Sequence, residues 1–398
     1  MKHLLLSTLL LVVLLTNATT YTSVMNGNWS SPYTWGQTTV IPLPGDDVII
    51  NHTVTLDDQF TVGGYWSVDA GSITIGANGI LQAGANVLGI AIQNNGTITN
   101  NGHFNMPQLG NYTGSFINNG TCSFTQLIFN ADYIENNGNI FDLDSVLTTG
   151  QFINNSTCEF HTDSLWIEGI FTNHGSMYLH EITNNGTFTN NSFMEFRRMT
   201  NLDHFDNIGF ITGQIDMTNA GYMKMWIGST LNLTNNFLNA DTTNHSALLL
   251  MEGTINIGNN ILNLDTIKGV DGEINVQDSS MNAGWFKGSF IFCDATPPSS
   301  SPFIDYNIGT IESSVRYCTS ESIENIFDKT LVIYPNPATQ FITINKNNIT
   351  LNINDITGKL VLKAQNKTTI DISKLKPGVY FVSIENFTES GVQKLIVK

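Results

Sequence analysis

Ser115-Phe116-Ile117-Asn118-Asn119-Gly120-Thr121-Cys122 is a phrase whose layout returns along the chain at almost constant spacing. It is preceded by Thr97-Ile98-Thr99-Asn100-Asn101-Gly102-His103-Phe104 and followed by Tyr133-Ile134-Glu135-Asn136-Asn137-Gly138-Asn139-Ile140, then by Gln151-Phe152-Ile153-Asn154-Asn155-Ser156-Thr157-Cys158. The anchors Gly102, Gly120, Gly138, Ser156 and Gly175 are 18, 18, 18 and 19 residues apart. Four residues before each anchor stand Ile98, Phe116, Ile134, Phe152 and Phe171, and two after it stand Phe104, Cys122, Ile140, Cys158 and Met177. Two apolar columns at a fixed period, with β-branched and aromatic residues, turn residues and no helical stripe, specify one coil of a β-solenoid per repeat. The fold class expected is all-β, a parallel β-helix over residues 45–292. An 18-residue coil also fits three hexapeptide edges of a left-handed helix, while the irregular insertions favour a right-handed one.

Working outward, the paired asparagines fall at a corner between strands. Asparagine tolerates left-handed backbone, and its amide can bond the identical amide of the next coil, so a stacked structural ladder is expected. After Gly175 the phrase recurs 11 residues on, at Gly186, with Ile182 and Phe188 taking the column places. Beyond it the spacing loosens, although Phe205, Ile211, Met223, Leu231 and Ile255 keep a strand-like pattern.

Towards the N-terminus, Met1-Lys2-His3, the apolar run 4–15 and the polar stretch 16–20 have the layout of a secretory signal peptide, and the run is too short to span a bilayer. Residues 1–20 are read as that signal and residues 21–294 as the solenoid with an N-terminal cap. Trp29, Trp35 and the turn Pro42-Leu43-Pro44-Gly45-Asp46-Asp47 resemble the opening of many secreted bacterial β-solenoids. Since a solenoid end exposes core and strand edges, the two tryptophans read as a cap, with a sugar-stacking platform as the alternative.

The chain carries 16 basic against 33 acidic residues, net −17, with no Lys or Arg between Lys2 and Arg197. So acidic a body excludes nucleic acid as a partner, because phosphate binding needs clustered basic residues. Four cysteines are too few for a disulfide scaffold. Cys122 and Cys158, two coils apart in one column, would be about 9.6 Å apart, beyond disulfide reach, and are expected as free thiols. Cys293 and Cys318 flank a Pro/Ser segment and are the candidate disulfide. Residues 295–330 are read as linker and transition.

From residue 331 the pattern changes to short strands about ten residues apart, joined by Pro, Gly and Asn turns, which gives a small immunoglobulin-like β-sandwich over residues 331–398. Eight Lys stand there against four acidic residues. Four features stand in order: Tyr334-Pro335-Asn336-Pro337-Ala338; the turn Asp355-Ile356-Thr357-Gly358-Lys359; Leu375-Lys376-Pro377-Gly378-Val379-Tyr380; and the ending Lys394-Leu395-Ile396-Val397-Lys398. Together they resemble the type A C-terminal sorting domain of the type IX secretion system of the Bacteroidetes. The resemblance implies passage through the periplasm and recognition by the secretion machinery at the outer membrane. It also implies removal of the tail as the protein is attached to surface lipopolysaccharide. The exposed face bearing Lys359, Lys363, Lys374 and Lys376 is expected to be offered to the machinery rather than packed on the solenoid.

No motif for nucleotide, dinucleotide or zinc chemistry is present, and His103, His161, His174, His180 and His204 lack ligand spacing. No catalytic, cofactor or metal residue is therefore assigned. Parallel β-helices often carry polysaccharide-cleaving enzymes, so Asp142, Asp144, Glu159, Asp163, Glu168, Glu181 and Glu195 are candidates by residue type, with solvated surface as their expected role. A groove joining at least two of these acids to Arg197 or Arg198 would favour an enzyme. Aligned exposed aromatics without such a cluster would favour a non-catalytic rod for adhesion, surface structure or glycan contact. Thr97, Thr99, Thr187 and Thr189 do not recur at the coil spacing, which disfavours ice adhesion. Asp144-Ser145-Val146, Asp163-Ser164-Leu165, Asp241-Thr242-Thr243 and Asp265-Thr266-Ile267 look like the O-glycosylation triplets of Bacteroidetes exported proteins.

Overall fold

The computed structural model describes residues 18–57, 66–87, 89–240, 247–296, 303–318, 332–344, 350–355, 359–385 and 390–398. The signal-peptide run up to residue 17, the Asp241 triplet, Gly358 and half of the expected linker, residues 297–302 and 319–330, lie outside the described residues.

Residues 90–294 form a parallel β-solenoid of about 11 turns. Parallel pairing also continues to both sides, from Thr20–Thr22 to Arg316–Tyr317, in one 32-stranded sheet. A coil contains a four-residue strand such as Ser115–Asn118, a corner, and a longer strand such as Thr121–Asn130. The Ile98 column is in register through Phe116, Ile134, Phe152 and Phe171 and goes on through Phe188, Phe205, Met223, Leu249, Ile267 and Phe286. Every one of these side chains is fully buried.

The second column departs from expectation at one place. Phe104, Cys122 and Ile140 are stacked, but the next member is Phe160, followed by Met177, and Cys158 is not in it. The cause lies at the anchor. A Cβ on Gly138 would come 1.9 Å from the carbonyl oxygen of Gly120, so these corner glycines are packed directly on one another and a serine does not fit the same path. At Ser156 the chain instead takes a wider turn, with Thr157 at φ 78°, and the column place is delayed by two residues. Cys158 is left at the corner, buried, with its Sγ 3.3 Å from the carbonyl oxygen of Asn136.

A third interior column escaped the sequence reading: Leu109, Ile128, Val146, Leu165, Ile182, Met199, Met217, Phe237 and Ile261. Asparagine thus recurs at two corners of the coil. Gly186 belongs to the second, which puts Ile182 in the third column and Phe188 in the first, one place away from the positions that the phrase alone suggests.

The asparagine ladder is present and multiple. At the first corner the side chains of Asn100, Asn118, Asn136, Asn154, Asn173, Asn190 and Asn207 are buried, each donating to the next at 2.7–2.9 Å. At the second corner the ladder runs Asn94, Asn111, Asn130 and Thr148. It is interrupted by Ile167 and resumes at Asn184, continuing through Asn201, Asn219, Asn239, Asn263 and Asn282 to Asn307.

At the N-terminal end Trp29 and Trp35 are buried, their rings 5.0 Å apart at 69°, and the Trp35 indole N–H donates to the Trp29 carbonyl at 2.9 Å. They close the core and offer no stacking face to solvent. At the other end Cys293 and Cys318 are bonded, with Cα atoms 4.9 Å apart, tying the last coil down, whereas Cys122 and Cys158 are free and buried.

The C-terminal part contains a three-stranded and a four-stranded antiparallel sheet, closed on a core that includes Ile333, Ile342, Ile344, Leu351, Ile353, Ile370, Ile372, Val382 and Leu395. Its opening segment packs on the solenoid, a contact that the sequence reading did not address: Val332 and Tyr334 share a buried cluster with Phe193 and Phe210, against which Tyr178 packs. Lys359, Lys363, Lys374 and Lys376 are exposed.

Candidate functional site

Side chains alternate along each long strand, so the residue after each second-column member points outward. On successive coils these residues are Phe141, His161, Tyr178, Glu195 and Thr212. Three are rings. Phe141 and His161 lie 5.3 Å apart, and His161 and Tyr178 are stacked at 4.6 Å and 22°. Beside this strip an open cleft of ≈ 460 Å³ is lined by Asp144, His161, Asp163, Tyr178, His180 and Glu195, among others.

Three of the acids read as candidates therefore share one cleft, namely Asp144, Asp163 and Glu195. Asp163 is paired with His180 at 2.9 Å, and Glu195 accepts from the Gln214 amide at 2.5 Å. Glu159 stands at the edge of the strip, 3.5 Å from His161 Nε2. Glu181 is engaged elsewhere by Arg198 at 3.3 Å, on a half-exposed surface, and neither Arg198 nor Arg197 lines the cleft. Burial raises the Tyr178 hydroxyl pKa, helped by Tyr334, Glu159 and Glu195 nearby, so it stays a neutral donor at physiological pH. Among the described residues no group of three His, Cys, Asp or Glu is placed to hold a metal ion. The arrangement supplies ring edges, carboxylate acceptors, an amide and imidazoles, and no Lys or Arg is among the described residues that line it. The ring strip was legible only once the column register was known, since Phe141, His161 and Tyr178 are 20 and 17 residues apart.

The sorting-motif residues form a compact set of ties at the other end of the chain. Asn336 uses its side-chain amide to donate to the Lys394 carbonyl at 2.7 Å and to accept from the Ile396 N–H at 2.8 Å, so the opening segment is stitched to the last strand. Ala338 and Lys398 continue that stitch: the Ala338 N–H donates to Ile396, and the Lys398 N–H to Ala338. Asp355 closes the next turn, its side chain accepting from the Lys359 N–H at 3.1 Å. The Tyr380 hydroxyl donates to the Lys376 carbonyl at 2.8 Å across Pro377 and Gly378, and Leu375 packs on the core. Pro335 and Pro337 each follow a cis peptide bond. Tyr334 is buried against the solenoid, and the Asn336 backbone and Pro337 come close to it at Gly228.

No curated protein matches the chain. Among solved structures it is similar to the one titled "Structural and functional probing of PorZ, an essential bacterial surface component of the type-IX secretion system of human oral-microbiomic Porphyromonas gingivalis". The identity is 21%, the coverage 18% of this chain and 12% of that one, and the TM-score 0.16. Residues 332–398 match the family model described as the secretion system C-terminal sorting domain, and the chain is thus a β-solenoid carrying a type IX sorting tail.

Proposed function

We propose that the chain is a non-catalytic rod of the outer cell surface or the surrounding medium, contacting glycans through the ring strip of its solenoid. It would be exported by the Sec route and then by the type IX machinery of a Bacteroidetes host. The sorting tail carries the export half of the reading, because it implies secretion through that system. The passenger half rests on one observation: the outward rings of Phe141, His161 and Tyr178 continue from coil to coil beside a cleft that no Lys or Arg lines. The outward apolar edges of the stacked rings suit the apolar faces of pyranose rings and the flanking carboxylates and amide suit their hydroxyls, whereas the lack of Lys or Arg among the described residues that line the cleft disfavours uronic or phosphorylated sugars. The test is to incubate the purified chain with neutral and anionic polysaccharides, measuring retention and the release of reducing ends together. Retention on neutral polysaccharide without release supports the reading; release sinks it.

The second reading, a glycoside hydrolase, is favoured by Asp144, Asp163 and Glu195 lining the same cleft. In that case reducing ends would appear and Asp163→Asn or Glu195→Gln would abolish them.

A further inference from the structure

One outward column of the solenoid breaks its own rule. Next to the ring strip, the positions facing solvent in successive coils are Thr121, Asn139, Glu159, Ser176, Phe193, Phe210, Thr230, Thr254 and Glu273. Seven are polar and two are phenylalanines. At Phe193 and Phe210 the column is buried, with 6% and 7% of the side chains' surface exposed, and what covers them is Val332 and Tyr334. The Tyr334 ring stacks on Phe193 at 5.7 Å and 27°, Phe193 lies 6.2 Å from Phe210 at 10°, and Tyr178 closes the side at 5.6 Å. The Tyr334 hydroxyl lies beside Ser176, one coil below. One coil above, the segment's backbone comes so near Gly228 that a Cβ there would stand 3.0 Å from the Asn336 carbonyl oxygen.

We propose that Ser176, Tyr178, Phe193, Phe210 and Gly228 are a built receptor for residues 332–337, which holds the sorting tail in a single orientation on a folded passenger. Three arguments carry this. Outward phenylalanines in an otherwise polar column would be an aggregation liability if nothing covered them. The receptor is assembled from four coils, so it does not exist in an unfolded solenoid. Finally, Ile333–Tyr334 is a strand whose neighbouring side chains point to opposite sides: Ile333 enters the sandwich core while Val332 and Tyr334 enter the receptor. One short segment thus closes the tail and docks it, so passenger folding stabilises the tail fold by linkage. The docked tail keeps Lys359, Lys363, Lys374 and Lys376 exposed to solvent. The inference does not rest on the glycan reading, although Tyr178 belongs to both the ring strip and the receptor.

The test uses hydrogen exchange on the full chain and on two variants, Phe193→Ser/Phe210→Ser in the receptor and Tyr334→Ala in the segment. Neither touches an interior column or the sandwich core. In both, amides of Ile333–Tyr334 and of Ser390–Val397 should exchange at least about tenfold faster, while those of the solenoid interior strands stay unchanged, and Thr230→Ala should behave as the parent chain. A synthetic peptide of residues 331–339 should bind the Tyr334→Ala chain, and the same peptide with Tyr334→Ala should not. Unchanged exchange in the Tyr334→Ala chain, in which the solenoid is unaltered, overturns the proposal even if the double variant folds poorly; so does equal binding of the two peptides.

Discussion

Buried asparagines hold this solenoid's corners, and their cost is tolerable only because each amide is answered by another. Asn136 accepts from Asn118 at 2.7 Å and donates to Asn154 at 2.8 Å, with no exposure to water. Asn136→Ala deprives two buried neighbours at once, so a loss of about 2–4 kcal/mol is expected in urea unfolding, against less than about 1 kcal/mol for Asn137→Ala, whose exposed amide donates to Asn119 and accepts from Asn155. The ladder was legible from the repeated Asn-Asn pair because amide chemistry is local. Cys158 was not placed correctly, because its column position depends on how Ser156 negotiates a corner where glycine carbonyls and Cα atoms almost touch, which spacing does not reveal. The thiols give a second test at this scale. Burial raises both, Cys158 to about 11 and Cys122 further, so neither forms thiolate at neutral pH. A thiol reagent at pH 8 should therefore find none in the native protein and two after denaturation without reductant; four would mean that Cys293 and Cys318 are unpaired. The sign follows for stability as well. Below pH 9 both states keep their thiol protons. Above it only the unfolded chain loses them, so stability should fall as pH rises from 9 through about 11.

At the scale of elements the two ends of the rod are closed by different means. Trp29 and Trp35 cover the first coil as a T-shaped pair only 0% and 3% exposed, and Trp29→Ala should cost about 3–5 kcal/mol and fray the strands Thr20–Thr22 and Asp47–Ile50 first, as exchange of their amides would report. The last coil has a bond instead of rings. Cys293 and Cys318 are 25 residues apart, and closing a loop of that length constrains the unfolded chain by about 3 kcal/mol, so Cys293→Ser/Cys318→Ser should lower the unfolding free energy of the terminal coils by that order. Both closures were readable, the first from two tryptophans beside a turn and the second from elimination among four cysteines. The third interior column was not, because its members Ile128, Val146 and Leu165 follow no fixed phrase. They sit in the second half of a long strand, beyond register shifts such as those between Phe124 and Leu127 and between Ile140 and Leu143, and the distance from the anchor varies with those shifts.

At the scale of the whole molecule the question is whether rod and tail act independently, and the receptor at Phe193 and Phe210 decides how export should be tested. If the tail is the address, deleting residues 332–398 should leave a folded rod in the periplasm, and joining those residues to a signal peptide and a fluorescent reporter should bring the reporter to the surface of a host with the type IX system. Deletion alone, however, uncovers Phe193, Phe210 and part of Tyr178 on a face that is otherwise polar, and such a patch promotes self-association. A truncated rod that has only aggregated would then fail to reach the surface just as an unaddressed one does. The variant that separates these outcomes is the truncation carrying Phe193→Ser/Phe210→Ser, which restores a polar column. It should be monomeric by sedimentation, resist protease as the full chain does over residues 90–294, and still remain inside. Restored surface delivery of this repaired but tailless rod would mean that the tail is not the address.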